Sequence, residues 1–284
     1  MDYPTLYHSS DELSIQSQVA FFRAVFWHLL FLVVAALISV INIPSAELAI
    51  FQVMVLLGAL ACSVYLFSTR PDRYWYAGRA VAESIKTVTW RFIIRAEPFN
   101  RNDEVDRHQF IQTLKSIVEQ NRDVLIRLSS CLEGAQITDS MIAIRQLPME
   151  ERMAHYVESR ISEQRRWYAK KSAYNKRMAT RFFIALIVTN AVTVCFAIGK
   201  VRFPSASCWP TDVLVALALG LLSWIQTKRY SELAGSYALA AHEIGLIKEQ
   251  SGSIRTEEQL SSFVGDAENA FSREHTQWVA RKDT

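Results

Sequence analysis

The side chains of this sequence that are most capable of chemistry are Glu83, His242 and Glu243. His242 and Glu243 open the segment HEIGLIKE (242–249), which begins like the metal-binding helix of a zinc protease. Such a helix holds zinc with a second histidine one turn after the first, and this segment lacks one. A catalytic role for the three residues would also need a nucleophile nearby, and none is evident. The segment therefore predicts neither a metal site nor a catalytic site.

Cysteine usage and the short motifs of enzymes lead to the same expectation. The four cysteines lie at positions 62, 131, 195 and 208, which is too far apart for a zinc site of the CxxC type. Two of them fall inside apolar runs, so no disulfide within one chain is expected. The sequence has no Gly-rich phosphate loop followed by Lys-Ser/Thr, no GxSxG elbow and no GxGxxG motif. We therefore expect a protein that is not an enzyme and that needs no cofactor.

The elements that carry these residues are organised around four apolar runs. Residues 24–43 and 48–69 contain no Asp, Glu, Lys or Arg, and each is long enough to cross a bilayer as a helix. Two shorter runs follow at 182–199 and 212–227, the second of which begins with Asp212. The pattern predicts an all-α membrane protein with four transmembrane helices arranged as two hairpins. For the second pair of runs, a buried hairpin of a soluble domain is the alternative.

Charge distribution predicts how the chain crosses the membrane. The segment before the first run is long and acidic and lacks a basic n-region, so it does not read as a cleaved signal peptide. Residues 70–181 contain 21 Lys and Arg against 14 Asp and Glu, whereas the two hairpin tips carry few basic residues. The positive-inside tendency therefore places both termini and this middle segment in the cytoplasm. Its basic residues from 165 to 181 are suited to anionic lipid headgroups, and no nucleic-acid partner is expected.

The same plan occurs twice along the chain. A helical lead-in meets an apolar run near residue 24 and again near 182, and the return runs begin at 48 and 212. This offset of about 160 residues indicates two copies of a two-helix membrane unit. We predict a first unit over residues 1–135 and a second over 136–284. Apolar stripes at helical spacing in 109–128, 150–181 and 263–282 predict that both units continue into a cytoplasmic helical stalk.

The segment after the second run predicts where the membrane helices meet this stalk. Tyr74, Trp75 and Tyr76 lie where the second run ends, a depth at which amphipathic aromatic side chains favour the headgroup region. Beyond them, helical spacing puts further side chains on one side of a continuing helix, where we expect them to serve stalk coupling and assembly together with two later tryptophans: Arg79, Glu83, Lys86, Trp90, Trp167 and Trp278. We expect Glu83→Ala to damage assembly rather than chemistry.

Long segments of the sequence resemble a bacterial membrane family. WYAGRAVAESIKTVTWRFIIRAEPF (75–99), IRQLPMEERMAHYVESRISEQRRWYAKKS (144–172) and FVGDAENAFSREHTQWVARK (263–282) are similar to the SLATT family, the SMODS- and SLOG-associating two-transmembrane effector domains, in a tandem form. The resemblance covers almost the whole chain. It implies a role in bacterial conflict and anti-phage defence at the inner membrane, with a separate nucleotide-signal synthase, SLOG protein or reverse transcriptase as partner.

Polar side chains within the apolar runs are the candidates for a pore lining. They are His28, Ser39 and Asn42 in the first run, Gln52 in the second, and Asn190 and Thr193 in the third. A pore needs polar groups on one face of its membrane helices. The same residue types also hold membrane helices together through hydrogen bonds between helices, and that alternative stays open here.

These observations lead to one functional hypothesis and one alternative. Four helices of a single chain hardly enclose a water-filled path, so we expect a homo-oligomer of about four or more copies in the lipid bilayer. It would form a gated pore or ion channel that permeabilises or depolarises the inner membrane and so arrests an infected cell. The alternative is a non-conducting, membrane-anchored scaffold or sensor that binds a cytoplasmic partner.

Overall fold

The chain folds into helices throughout the part that the structure describes. The computed structural model describes residues 1–41, 45–122, 126, 134–203 and 209–280, and their side chains as far as Phe271. The α-helices, in chain order, are α1 (Thr5–Ile41), α2 (Ala46–Thr69), α3 (Pro71–Ile94), α4 (Asp103–Gln120), α5 (Asp139–Arg145), α6 (Met149–Tyr156), α7 (Glu163–Arg202), α8 (Thr211–Lys228), α9 (Tyr230–Gln250) and α10 (Glu257–Ala280). A π-helical segment, Val157–Ser162, joins α6 to α7, and a short 3-10 turn follows α9. No strand occurs in these ranges, so the predicted all-α class is confirmed.

Side chains satisfy the free N–H groups at several helix starts. The Oδ1 atom of Asn102 accepts a hydrogen bond from the Val105 N–H at 2.9 Å at the start of α4. At α10, the Gln259 Oε1 atom accepts from the Thr256 N–H at 3.2 Å while the Thr256 Oγ1 atom accepts from the Gln259 N–H at 3.3 Å. This reciprocal pair is a capping box, and the sequence TEEQ (256–259) predicts it. Such caps each stabilise a helix by about 1 kcal/mol.

The repeated plan is visible in the backbone. Arg70 ends α2 with φ 43°, and Arg229 ends α8 with φ 50°, both in the left-handed region. The N–H group of each arginine bonds to the carbonyl four residues earlier, Leu66 for the first and Ile225 for the second. A new helix starts at the following residue in both cases. Each apolar return helix is therefore separated from its exit helix by a single left-handed arginine.

The chain divides into two compact units. Unit 1 contains Met1–Gln18, Asp72–Ala169 and Ala238–Thr284, and unit 2 contains Val19–Pro71 and Lys170–Tyr237. Helices α1, α7 and α9 contribute residues to both units, because the divisions fall inside them.

Unit 1 is built around α3, which is buried along most of its length. Phe92 on α3, Phe99 in the following loop and Phe110 on α4 form an aromatic cluster with ring centroids 4.6 to 6.0 Å apart. At the start of α3, Gly78 lets this helix approach α1 closely. A Cβ atom at Gly78 would lie 3.1 Å from the backbone of both Ser10 and Ser14. The absence of a side chain at this position therefore sets the distance between α1 and α3.

Unit 2 contains the apolar runs, and few of their residues are buried. One small core cluster consists of Ala35, Ile38 and Val55, with Phe31, Val34 and Leu48 packed beside them. Three helical stretches are long and apolar enough to cross a membrane: Thr5–Ile41, Ala46–Ile94 and Met149–Arg202. In their most apolar windows only 17%, 11% and 0% of the residues are buried. Most residues of these windows are thus partly or fully exposed in one chain.

The predicted fourth span is not among these stretches. It corresponds to α8, which has only 18 residues, with Asp212 in its first turn and Lys228 in its last. This length is at the lower limit for a spanning helix, and both ends are charged. Four spans in two hairpins, and the stalk, stay predictions.

Candidate functional site

The charged interior of unit 1 contains two buried arginine–carboxylate pairs, and the first centres on Arg145. The side chain of Arg145 at the end of α5 is 1% exposed, and its Nη2 atom lies 2.5 Å from Oδ2 of Asp106, which is 0% exposed. Arg145 also donates to Oδ1 of Asp103 at 2.9 Å and to the Phe99 carbonyl at 3.2 Å. Its guanidinium stacks 4.6 Å from the centre of the Phe92 ring. The pair therefore joins α4 and α5 to the end of α3.

The second buried pair is Arg160 with Glu268. Arg160 lies in the π segment and is 2% exposed, and Glu268 on α10 is 0% exposed. The Arg160 Nε and Nη2 atoms donate to the two carboxylate oxygens at 2.9 and 2.8 Å. Tyr156 donates its hydroxyl to Oε1 at 2.9 Å, and Thr87 donates to Oε2 at 3.0 Å. Glu268 thus accepts four hydrogen bonds, which come from α3, α6 and the π segment.

The electrostatic environment of this second pair keeps Arg160 charged. Burial opposes the charged form of Arg160, and the Glu268 carboxylate more than offsets it, so the pKa of Arg160 lies above its usual value. Burial, followed by the charge of Glu268, raises the pKa of Tyr156 well above its usual value. Tyr156 therefore stays protonated and acts as a donor. Removing one partner of such a pair leaves a buried charge and costs about 3–5 kcal/mol.

Further polar contacts attach α10 along its length. Arg91 on α3 donates through Nη2 to Asn269 Oδ1 at 2.8 Å and to the Gly265 carbonyl at 3.2 Å. Arg152 on α6 bonds to Glu257 at the start of α10 and donates to the Ile94 carbonyl at 2.6 Å. The attachment of α10 is therefore distributed over its N-terminal half and its middle.

The residues predicted for stalk coupling lie on α3 and α7, close to this network. Arg79 and Glu83 form an ion pair at 3.7 Å, and the Arg79 guanidinium lies 5.7 Å from the centre of the Trp167 ring. Trp90 is buried and donates its indole N–H to the Tyr3 hydroxyl at 2.9 Å. Burial, and then the charge of Arg160, lowers the pKa of Lys86. The side chain of Trp278 lies outside the described residues.

Glu83 is therefore more exposed to solvent than the two buried acids, Asp106 and Glu268. Its pair with Arg79 has the i,i+4 spacing that the sequence predicts, and both side chains keep partial exposure. Exposed pairs of this kind stabilise a helix by about 0.2–0.5 kcal/mol. The role of Glu83 in assembly stays a prediction.

The three aromatic residues predicted as membrane anchors do not share one environment. Trp75 is only 8% exposed and stacks on Tyr76 with ring centroids 4.4 Å apart. The Ser14 hydroxyl of α1 donates to the Trp75 carbonyl at 3.0 Å. Trp75 is thus packed inside unit 1, which differs from a ring that faces headgroups. Tyr74 and Tyr76 are partly exposed, and an anchoring role for them stays a prediction.

Most polar candidates of the first two apolar runs bond across the hairpin of α1 and α2. The His28 Nδ1 atom lies 3.1 Å from the Ala59 carbonyl and 3.3 Å from the Ser63 hydroxyl. The Gln52 amide donates to Ser39 Oγ at 3.1 Å and to the Ala35 carbonyl at 3.3 Å. These contacts satisfy polar groups that would be costly in lipid, and they hold the two helices together.

The candidates of the third run differ from one another. Thr193 donates its hydroxyl to the Thr189 carbonyl at 2.7 Å, within α7. The Asn190 side chain is exposed on the same helix. Asn42 lies outside the described residues. Lining of a pore by any of these side chains stays a prediction.

The sequence-derived catalytic candidates lie on different helices. Glu83 is on α3, whereas His242 and Glu243 are exposed on α9. Across the described ranges, no group of three or more His, Cys, Asp or Glu side chains is placed to hold a metal ion.

Sequence reasoning missed the two buried pairs, although one signal was present. Arg152, Tyr156 and Arg160 recur every four residues, which places them on one face of the helix that carries the apolar Ile161. Glu268 lies next to the apolar stripe predicted for α10, beside Ala267 and three residues before Phe271. A carboxylate next to an apolar stripe, together with a row of cationic and phenolic side chains on another helix, indicates a buried pair.

Comparison with models of protein families finds two matches in tandem. Residues 4–153 match the family described as SMODS and SLOG-associating 2TM effector domain 3, and residues 156–278 match SMODS and SLOG-associating 2TM effector domain 1. No curated protein and no solved structure matches the chain. The bounds of the two units that the sequence predicts, 1–135 and 136–284, stay a prediction. The first match alone covers more than half of the 284 residues, and the chain belongs to the SLATT family of two-transmembrane effector domains, of which it carries two in tandem.

Proposed function

We propose that this protein is a homo-oligomeric membrane effector that forms a gated pore in the inner membrane of a bacterium. Both matched domains are described as two-transmembrane effector domains that associate with SMODS and SLOG proteins. Opening of the pore would depolarise or permeabilise the membrane and arrest an infected cell. The trigger would come from a separate cytoplasmic partner, either a nucleotide-signal synthase, a SLOG protein or a reverse transcriptase, and it would act on unit 1.

The observation that carries this proposal is the uncovered third apolar stretch. None of the residues in its most apolar window is buried within the chain, and the exposed amide of Asn190 lies in that run. An amide side chain that faces lipid without a hydrogen-bond partner costs roughly 2–7 kcal/mol. Association with further copies, or contact with a water-filled path, would remove that cost. A pore built from several copies supplies both.

A flux measurement with matched variants tests the role of Asn190. The wild type, Asn190→Leu and Val194→Leu are reconstituted into liposomes loaded with potassium, and release is followed. Val194 is an exposed apolar residue of the same helix and serves as the control. If Asn190 faces the conducting path, Asn190→Leu lowers release at least about tenfold by replacing a polar lining group, while Val194→Leu leaves it unchanged. Equal release by all three proteins contradicts this assignment.

A membrane-anchored scaffold or sensor is the second candidate, and the surface of α9 favours it. Leu239 and Leu246 lie seven residues apart on α9 and are 62% and 69% exposed, so they form an apolar stripe suited to a protein partner. A scaffold predicts that Asn190→Leu and His28→Leu leave cellular toxicity intact, while changes at Leu239 and Leu246 abolish capture of the partner. A pore predicts loss of toxicity in the first pair of variants.

A further inference from the structure

Among the contacts that attach α10 to the rest of unit 1, those of Glu268 involve a carboxylate that is fully buried. Glu268 accepts its four hydrogen bonds from Thr87, Tyr156 and Arg160, which belong to three different segments of unit 1. The two outer contacts, Arg91 with Asn269 and Arg152 with Glu257, involve an acceptor side chain that is exposed. Loss of the charge on Glu268 would therefore weaken the contacts of α10 with all three segments at once.

The main partner of Glu268 lies in the π segment. Val157–Ser162 forms a single π turn inside a helix that is continuous from Met149 to Arg202 and that contains the third apolar run. A π turn accommodates one residue more than the α-helix around it, and such turns are frequent at functional sites. Conversion of this turn to α-helix would rotate the residues beyond it by about 100° relative to α6, the angle of one residue. The π segment is thus a place where a local change of helix type would change the register of all residues beyond it.

The docked arrangement leaves buried donors unused. Among the described residues, the Arg160 Nη1, Arg91 Nε and His155 Nε2 atoms are buried without a hydrogen-bond partner. A buried polar group without a partner costs about 1–3 kcal/mol, which contact with water removes. Arg91 and Arg160 both hold α10, so undocking of this helix would let water reach them.

We propose that α10 is a latch that keeps the helix Met149–Arg202 in its π register through Glu268. Withdrawal of α10 removes the anionic partner of Arg160, and the π segment then converts to α-helix. The rotation passes along the continuous helix into the third apolar run. That this rotation opens a pore rests on the proposed function, whereas the latch itself does not.

Two readouts on the full-length protein test the latch. Hydrogen exchange of the backbone amides of α10 is compared between wild type, Glu268→Gln and Asp266→Asn, and potassium release from liposomes is measured for the same proteins. Asp266 is an exposed acid of the same helix and serves as the control. Glu268→Gln keeps the shape of the side chain but removes its charge. It is expected to raise exchange across α10 at least about tenfold and to increase release, while Asp266→Asn changes neither.

A deletion isolates the change of register. Removing Ser159 takes the extra residue out of the π turn, so the α-helix that results keeps the rotational register of the docked state. Added to Glu268→Gln, this deletion is expected to leave the exchange of α10 high and to return potassium release to the level of the wild type. If release stays high in the double variant, the register change is wrong.

The outcomes separate the latch from the proposed function. Unchanged exchange in α10 of Glu268→Gln overturns the latch. Raised exchange without potassium release from any variant supports the latch and contradicts the pore. Should Glu268→Gln fail to fold, Asn269→Ala removes only the exposed acceptor of Arg91, and the latch then predicts a smaller rise of exchange in α10. No rise in that variant, measured with folded protein, counts against the latch.

Discussion

Two arginines of unit 1, Arg145 and Arg160, pair with acids that are buried inside the protein. Arg145 pairs with an acid 39 residues away, and Arg160 with one 108 residues away. Helical spacing relates only residues three or four apart, so the sequence predicts the Arg79–Glu83 pair and gives no direct route to the longer ones. The sequence places Trp90 four residues after Lys86, on the side of α3 predicted for stalk coupling. Its partner, the Tyr3 hydroxyl, depends on how the N-terminal segment packs.

Substitution of Asp106 measures how much a buried ion pair contributes to the free energy of unfolding. Asp106→Ala leaves the Arg145 guanidinium buried beside Phe92 without its closest carboxylate, so we expect the free energy of unfolding to fall by about 3–5 kcal/mol. Denaturant unfolding in detergent checks this value. Glu104→Ala removes an exposed acid of the same helix and is expected to cost less than about 0.5 kcal/mol. Similar losses of stability for both variants would show that the buried pair contributes no more to stability than an exposed acid does.

The lowered pKa of His155 in the folded protein predicts that stability depends on pH. Burial, and then the N-terminal ammonium, lowers the pKa of His155 below its usual value of 6.5. Between the lowered pKa and 6.5, the unfolded chain binds more protons than the folded one, so stability is full above about pH 6.5 and decreases as the pH falls below it. We expect the unfolding temperature to be lower at pH 5.5 than at pH 7.5, and His155→Gln to reduce the difference. The exposed His242→Gln is the control, and an equal pH response in both variants contradicts the assignment.

Helices with a clear apolar or capping pattern in the sequence are found in the structure where they are predicted. The π segment is not predicted. Residues 24–41 of the first run lie in α1, the run 48–69 lies in α2, and the capping box at 256–259 opens α10. The sequence also predicts a helix over 150–181, which the structure divides into α6, the π segment and α7. A single π turn keeps the helical period and shifts only the phase of the apolar stripe, by one residue, and the short stripe at the start of 150–181 does not reveal such a shift.

The packing of α1 against α3 is sensitive to the addition of a single methyl group at Gly78. Gly78→Ala would place a methyl group 3.1 Å from backbone atoms of Ser10 and Ser14, and backbone does not move aside as a flexible side chain does. We expect a loss of about 1–3 kcal/mol in the free energy of unfolding. Gly265→Ala on α10, where a Cβ atom meets nothing within 4 Å, is the matched control and should be neutral or slightly stabilising. Gly78→Ala with unchanged stability would mean that the two helices separate freely.

The whole molecule is a tandem of two family domains with mostly uncovered apolar helices. The repeated plan in the sequence predicts the tandem form, and the left-handed arginines at residues 70 and 229 repeat it in the backbone. The contacts of an oligomer cannot be predicted from the apolar pattern of the sequence, because the surfaces that meet belong to different copies. The small core cluster of unit 2 gives the physical reason to expect such an assembly, since lipid or further copies must cover what one chain leaves uncovered.

The claim that several copies share one conducting path is tested most directly by counting subunits in single leaking liposomes. Protein labelled with one fluorophore per chain is reconstituted at low density, the copies in each liposome are counted by photobleaching, and the loss of a potassium gradient is recorded in the same liposome. We predict that only liposomes with about four or more copies lose their gradient, because fewer helices do not enclose a water-filled path. Leakage from liposomes with a single copy, or no leakage at any copy number and with any partner protein, would contradict the account.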